Sequence, residues 1–62
     1  MSDTRIALLS NGTTTEWCIV WRGQAYPFGS DALAKELAEW AAPRLESGKE
    51  RYRPDLRFQI TR

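Results

Sequence analysis

Apolar and polar positions change rhythm twice along this chain, and each change marks a different kind of element. Ile6-Ala7-Leu8-Leu9 is a short apolar run that gives way to Ser10-Asn11-Gly12. An Asn-Gly pair between strand-like segments is the strongest local hairpin signal. From Thr13 to Trp21 the chain reads as a long strand of β-branched and aromatic residues, with Trp17, Ile19 and Trp21 on one face and Cys18 and Val20 on the other. Both faces are apolar, so this strand is expected in the centre of a sheet. Arg22-Gly23 can close a second two-residue hairpin, although a type I′ turn prefers Asn or Asp where Arg22 stands. That hairpin sets Trp21 opposite Gln24, Ile19 opposite Tyr26, Cys18 opposite Pro27 and Trp17 opposite Phe28. Pro27 cannot donate to a ladder, which makes Gln24–Phe28 an edge.

The helical period begins after Pro27. Ser30 is placed to cap a helix and Asp31 to complement its dipole, while Pro43 ends or kinks it. Leu33, Leu37, Trp40, Ala41 and Arg44 share one stripe, with Ala32, Lys35 and Glu39 pointing the other way. The stripe is expected to cover the Trp17/Ile19/Tyr26/Phe28 face of the sheet. Gly48 can cap a further short turn that buries Leu45, within a charged connection over 43–55. Strict alternation returns at Leu56, Phe58 and Ile60, a half-buried last strand expected antiparallel beside Thr13–Trp21. The fold class is therefore α+β: a small antiparallel sheet in β-β-α-β order with one helix on one face. Ile6–Ser10 competes for the same sheet edge as an extra N-terminal strand, and sequence alone leaves that competition open. The second face, with Cys18, Val20, Ala25, Ala7 and Leu9, is either a bare binding or dimer surface or is covered by the N-terminal segment.

Length limits what such a fold can hold. The 62 residues make one domain, 1–62, with 1–4 expected to fray. A chain this short buries only about 60% of its unfolded surface. Three Trp, two Tyr and two Phe compensate for the small core. One cysteine and no histidine leave no metal-ligand cluster, and Cys18 has no histidine to activate it, so a buried inert thiol is expected. Glu36 and Glu39 read as a solvated helix face, and the four glycines sit at turns or caps rather than in a phosphate-cradling motif. The expectation is a non-enzyme without metal or cofactor. With no apolar run long enough for a membrane span and no signal-peptide pattern, a cytoplasmic protein is expected.

Net charge is +1 but unevenly placed. Residues 1–42 carry an acidic excess, whereas Arg44, Lys49, Arg51, Arg53, Arg57 and Arg62 outnumber Glu46, Glu50 and Asp55 beyond them. Arg51, Arg53 and Arg57, interleaved with Tyr52 and Phe58, have the residue types that bind phosphates and stack bases. The nearly neutral whole is below the usual footprint of a nucleic-acid binder. Recognition of an acidic protein surface is the other reading, since Arg offers bidentate hydrogen bonding.

Two short motifs point further. Glu36-Leu37-Ala38-Glu39-Trp40 and Phe58-Gln59-Ile60-Thr61-Arg62, with the alternating run at Trp17-Cys18-Ile19-Val20, resemble the short bacteriophage-encoded inhibitors of host RNA polymerase. The likeness covers roughly residues 16–42 and 56–62, and the 43–55 connection is longer here than in that family. It implies a β-β-α-β inhibitor that acts sterically on a host protein machine, with bacterial RNA polymerase the candidate partner and Arg62 central to docking. For such an inhibitor, Arg57 and Arg62 on the last strand, helped by Arg51 and Arg53, are expected to pair with carboxylates of the partner, with Trp21 as an aromatic anchor. Small phage proteins of this topology also include inhibitors of CRISPR complexes. The alternatives carried forward are a nucleic-acid binder and a weak homodimer in place of a monomer.

Overall fold

The computed structural model describes residues 3–58. It contains three strands, β1 (Arg5–Ser10), β2 (Thr15–Trp21) and β3 (Gln24–Gly29), then one helix, α1 (Ala32–Ser47), and a single 3₁₀ turn at Leu56–Phe58. The sheet is antiparallel with order β1-β2-β3. The α+β class, the central position of β2 and the edge position of β3 are as the sequence pattern predicts.

The open competition at the sheet edge goes to β1, which pairs with β2 from Arg5 opposite Val20 to Ser10 opposite Thr15. A neighbouring segment closes a short loop at small entropic cost, whereas a strand beyond residue 55 has to return across the molecule. The loop is four residues long, and Asn11 Oδ1 organises it by accepting from the backbone N–H groups of Thr13 (3.0 Å) and Thr14 (2.9 Å). At the second hairpin Arg22 (φ 54) and Gly23 (φ 75) both adopt left-handed conformations, as a type I′ turn requires.

The β2–β3 register follows the expectation at Trp21–Gln24, Ile19–Tyr26 and Cys18–Pro27, then shifts. Trp17 lies opposite Gly29 rather than Phe28, because a bulge between Trp17 and Cys18 accommodates one extra residue on β3. Gly29 has φ 138, and a Cβ there would stand 3.1 Å from the Ala34 Cβ of α1. Glycine thus lets the chain leave the sheet directly under the helix.

Three features of α1 correct the sequence expectation. Its N-cap is Asp31, not Ser30: the Asp31 carboxylate accepts from the Ala34 N–H at 2.8 Å. Pro43 lies inside the helix instead of ending it. Continuation past Pro43 buries Leu45, and a Gly48 cap with φ 77 closes the helix, its N–H donating to the Leu45 carbonyl and the Lys49 N–H to the Arg44 carbonyl. The Arg44 guanidinium also donates to the Trp40 carbonyl at 2.8 Å.

The third correction concerns which face is inside. Ala34, Ala38, Ala41, Ala42 and Leu45 are buried, whereas Leu33, Leu37 and Trp40 are 72%, 47% and 47% exposed. The helix does lie on the expected sheet face, against Ile19 and Tyr26 with Ile6, Trp21, Phe28 and Tyr52 at its margins. Those side chains already fill the space between the layers. Alanines let the helix backbone come close, while a row of Leu and Trp would hold it away and open voids.

The last strand is not formed where it is described. Leu56–Phe58 is a 3₁₀ turn, closed by the Phe58 N–H on the Asp55 carbonyl, and the rest of the expected strand, 59–62, lies outside the described residues. Its alternation has a different use. Phe58 is buried with Cys18 and Ala25, with Leu9 alongside, so the C-terminal segment covers the second sheet face. Among the described residues, that face is neither bare nor covered by the N-terminal segment. At the other end, Glu46 accepts from the Asp3 N–H at 2.7 Å and the Thr4 hydroxyl at 3.3 Å, while residues 1–2 of the stretch expected to fray lie outside the described residues.

Candidate functional site

Among the described residues, the basic side chains singled out from sequence differ in how far their neighbours engage them. Arg57 is held by its neighbours: its Nε and Nη2 lie 2.7 and 2.6 Å from Asp55 Oδ2, and Nη2 is 3.5 Å from Glu16 Oε2. Its guanidinium also stands 5.2 Å from the Phe58 ring centre. The Arg57 hydrogen bond holds the Asp55 carboxyl below the usual aspartate range, and Asp55 in return holds the Arg57 guanidinium above its ordinary value. This cluster fastens the C-terminal segment onto β2. Arg51 and Arg53 are exposed on the connection after α1 and make no ion pair among the described residues. Tyr52, between them, packs edge-on against Phe28 at 5.5 Å and is turned into the core. Arg62 lies outside the described residues.

Trp21 is half-buried, tilted against Tyr26 at 6.4 Å with the Arg22 guanidinium 4.6 Å above its ring. The other two tryptophans carry cations in the same way, Lys35 at 5.0 Å from Trp17 and Arg44 at 3.9 Å from Trp40. In each pair the ring quadrupole attracts the cation and the alkyl stem shields part of the ring.

The flank of α1 was missed as a site by sequence reasoning. Leu33, Leu37, Trp40 and Arg44 follow one another by four, three and four residues, about a third of a turn round the helix from the buried alanines. At nearly half exposure for the Trp and more for Leu33, this row presents apolar area that the core does not use. Glu36 lies towards its N-terminal end and Arg44 at its C-terminal end, so the row is polar at its rim and apolar along its middle. The signal was visible as the helical stripe, but the alternative stripe of alanines had no weight in a hydrophobicity pattern. Exposed aromatic and apolar area with a cation at its rim is the composition of a protein contact.

Two further features bear on chemistry among the described residues, a cysteine and a cleft. Cys18 is fully buried, its Sγ–H donating to the Glu16 carbonyl at 3.4 Å, and burial, helped by the Glu16 and Asp55 charges, pushes its pKa up to about 11. Such a thiol stays protonated and unreactive. A shallow cleft of about 240 Å³ runs between Gly23–Ala25 and Pro54–Phe58, below the usual size of small-molecule sites, and its carboxylate, Asp55, is engaged by Arg57. Among the described residues no three His, Cys, Asp or Glu side chains converge on a metal position, and no helix is long and apolar enough to cross a membrane. Comparison with protein-family models, with curated proteins and with solved structures returns no match for this chain.

Proposed function

We infer that this protein is a small non-enzymatic binding module that acts by docking on a larger protein, as the resemblance to phage-encoded inhibitors implies, with bacterial RNA polymerase the candidate partner. The observation that carries the reading is the α1 flank, where Leu33, Leu37 and Trp40 stand in solvent although the same helix has a complete alanine face for its own core. A protein of 62 residues has little apolar area to leave unburied, so three large side chains in one row have a use outside the fold. Trp40, clamped by Arg44, is the natural anchor, and Arg51 and Arg53 add positive charge for an acidic partner surface. Inhibition would be steric. On this reading the helix flank is the docking surface, and Arg57, paired with Asp55 and Glu16, is not at its centre.

A nucleic-acid partner is less well served, since Tyr52 packs edge-on against Phe28 and is not a free aromatic platform between Arg51 and Arg53. Binding of the purified protein to purified bacterial RNA polymerase tests the reading directly. Leu37→Glu and Trp40→Ala should each weaken the complex by at least about tenfold, the cost expected when a buried anchor is truncated, with the circular dichroism spectrum unchanged. Absence of any complex with the wild-type protein rejects the polymerase as partner. A complex indifferent to both substitutions rejects the helix flank.

A further inference from the structure

The two edges of the sheet are treated differently by the chain. β3 is guarded three times: Pro27 removes a donor, the bulge beside Trp17 bends the strand, and the Asp55 N–H bonds to the Ala25 carbonyl at 3.3 Å as the C-terminal segment passes. These are the ordinary devices by which proteins prevent edge-to-edge pairing. β1 has none of them. Its six residues, Arg-Ile-Ala-Leu-Leu-Ser, contain no proline, lysine or bulge, and its outer edge has no backbone partner among the described residues. Leu8, on the helix-covered side of this strand, is 52% exposed. The helix itself lies chiefly over β2 and β3, with less contact to β1.

We propose that the outer edge of β1 pairs antiparallel with β1 of a second copy of this chain, joining two three-stranded sheets into one of six strands. An unpaired strand edge recognises another strand, and a second β1 is matched to it by symmetry. A two-fold axis normal to the sheet relates antiparallel neighbours, and opposed residues must point to the same face, so only registers that pair residues of the same parity are allowed. The register centred on Ala7 sets Ile6 against the partner's Leu8 and Arg5 against the partner's Leu9. Arg5 then shares a row and a face with the partner's Glu16, because Leu9 and Glu16 are opposed within one sheet, and Arg57 reaches that carboxylate only through Oε2 at 3.5 Å. Strand spacing of about 4.8 Å places those two Cβ atoms about 10 Å apart, within the combined reach of an arginine and a glutamate. Charge complementarity and the cover given to Leu8 both favour a copy of this chain as occupant. Both helices lie on the same face of the joined sheet, and the Leu33/Leu37/Trp40 flank takes no part.

Five paired residues a side make an interface smaller than that of a permanent dimer, so association is concentration-dependent. Sedimentation velocity of the full chain up to millimolar concentration should give a monomer–dimer equilibrium, with slower amide exchange in β1 as the dimer fills. Leu8→Lys and Arg5→Glu should each weaken dimerisation at least about tenfold without altering the circular dichroism spectrum, since both positions are exposed, while Leu37→Glu should leave it unchanged. A monomer throughout that range overturns the proposal. So does a dimer that resists both edge substitutions, or one that Leu37→Glu dissociates.

Discussion

Arg57 and Cys18 illustrate how neighbours decide what a side chain can do. Asp55, two residues before Arg57, and Glu16, far away in sequence, together neutralise the cation that the sequence offered to a partner. Cys18 is buried, and its surroundings disfavour the thiolate: no water reaches it, and two carboxylates nearby oppose a negative charge. Its pKa of about 11 against 9.0 for an ordinary thiol has a consequence for stability. Between those two values the unfolded chain releases the thiol proton and the folded chain retains it, so this contribution to stability is intact below pH 9 and is lost as the pH rises through 11. Thermal unfolding at pH 8 and pH 10.5 should therefore show a larger fall for the wild type than for Cys18→Ala. In the native state at pH 8, Cys18 should not react with a thiol reagent until the protein unfolds.

At the scale of elements, the helix shows where a hydrophobicity pattern is ambiguous. Two stripes run along α1, one of Leu33, Leu37 and Trp40 and one of Ala34, Ala38, Ala41, Ala42 and Leu45, and both have the helical period. Hydrophobicity ranks the first higher, but a face's fit depends on volume. The sheet supplies Ile19, Tyr26, Trp21 and Phe28, so its partner must be small. The helix start is ambiguous in the same way, since Ser30 and Asp31 are both good capping residues one position apart. Asp31 has the extended backbone (φ −96, ψ 177) and the bond to Ala34. Asp31→Ala should cost about 1 kcal/mol in urea unfolding, and Ser30→Ala well below that. Equal effects would mean that the cap is shared.

For the whole molecule, the decisive event is the return of the C-terminal segment beneath the sheet. Cys18, Ala25 and Leu9 make a second, minor core that Phe58 closes, and the Asp55 N–H on the Ala25 carbonyl and Arg57 on Glu16 hold the segment to the sheet on either side of Leu56. Replacing a buried phenylalanine by alanine costs about 3–5 kcal/mol. That equals the roughly 3–5 kcal/mol a core of this size supplies in total. Phe58→Ala should thus leave the chain largely unfolded at room temperature by circular dichroism, whereas Leu56→Ala, at a position 74% exposed, should leave the spectrum unchanged. A folded Phe58→Ala variant would show that the helix-side core is sufficient alone.

Local chemistry in the sequence determined the elements that local chemistry controls. Alternation marked β2, Pro27 marked an edge, Arg22-Gly23 marked a tight turn, and Gly48 marked a helix end, because each depends on the backbone preferences of a few adjacent residues. Only the tertiary structure decided the choices between equivalent partners: β1 over the C-terminal segment at the sheet edge, alanines over leucines at the helix interface, Phe58 as cover for the second face, and Asp55 with Glu16 as the partners of Arg57. Each of these turns on how volumes and charges from distant parts of the chain fit together. That information exists in no single stretch of residues, and the exposed Leu33/Leu37/Trp40 flank is its outcome.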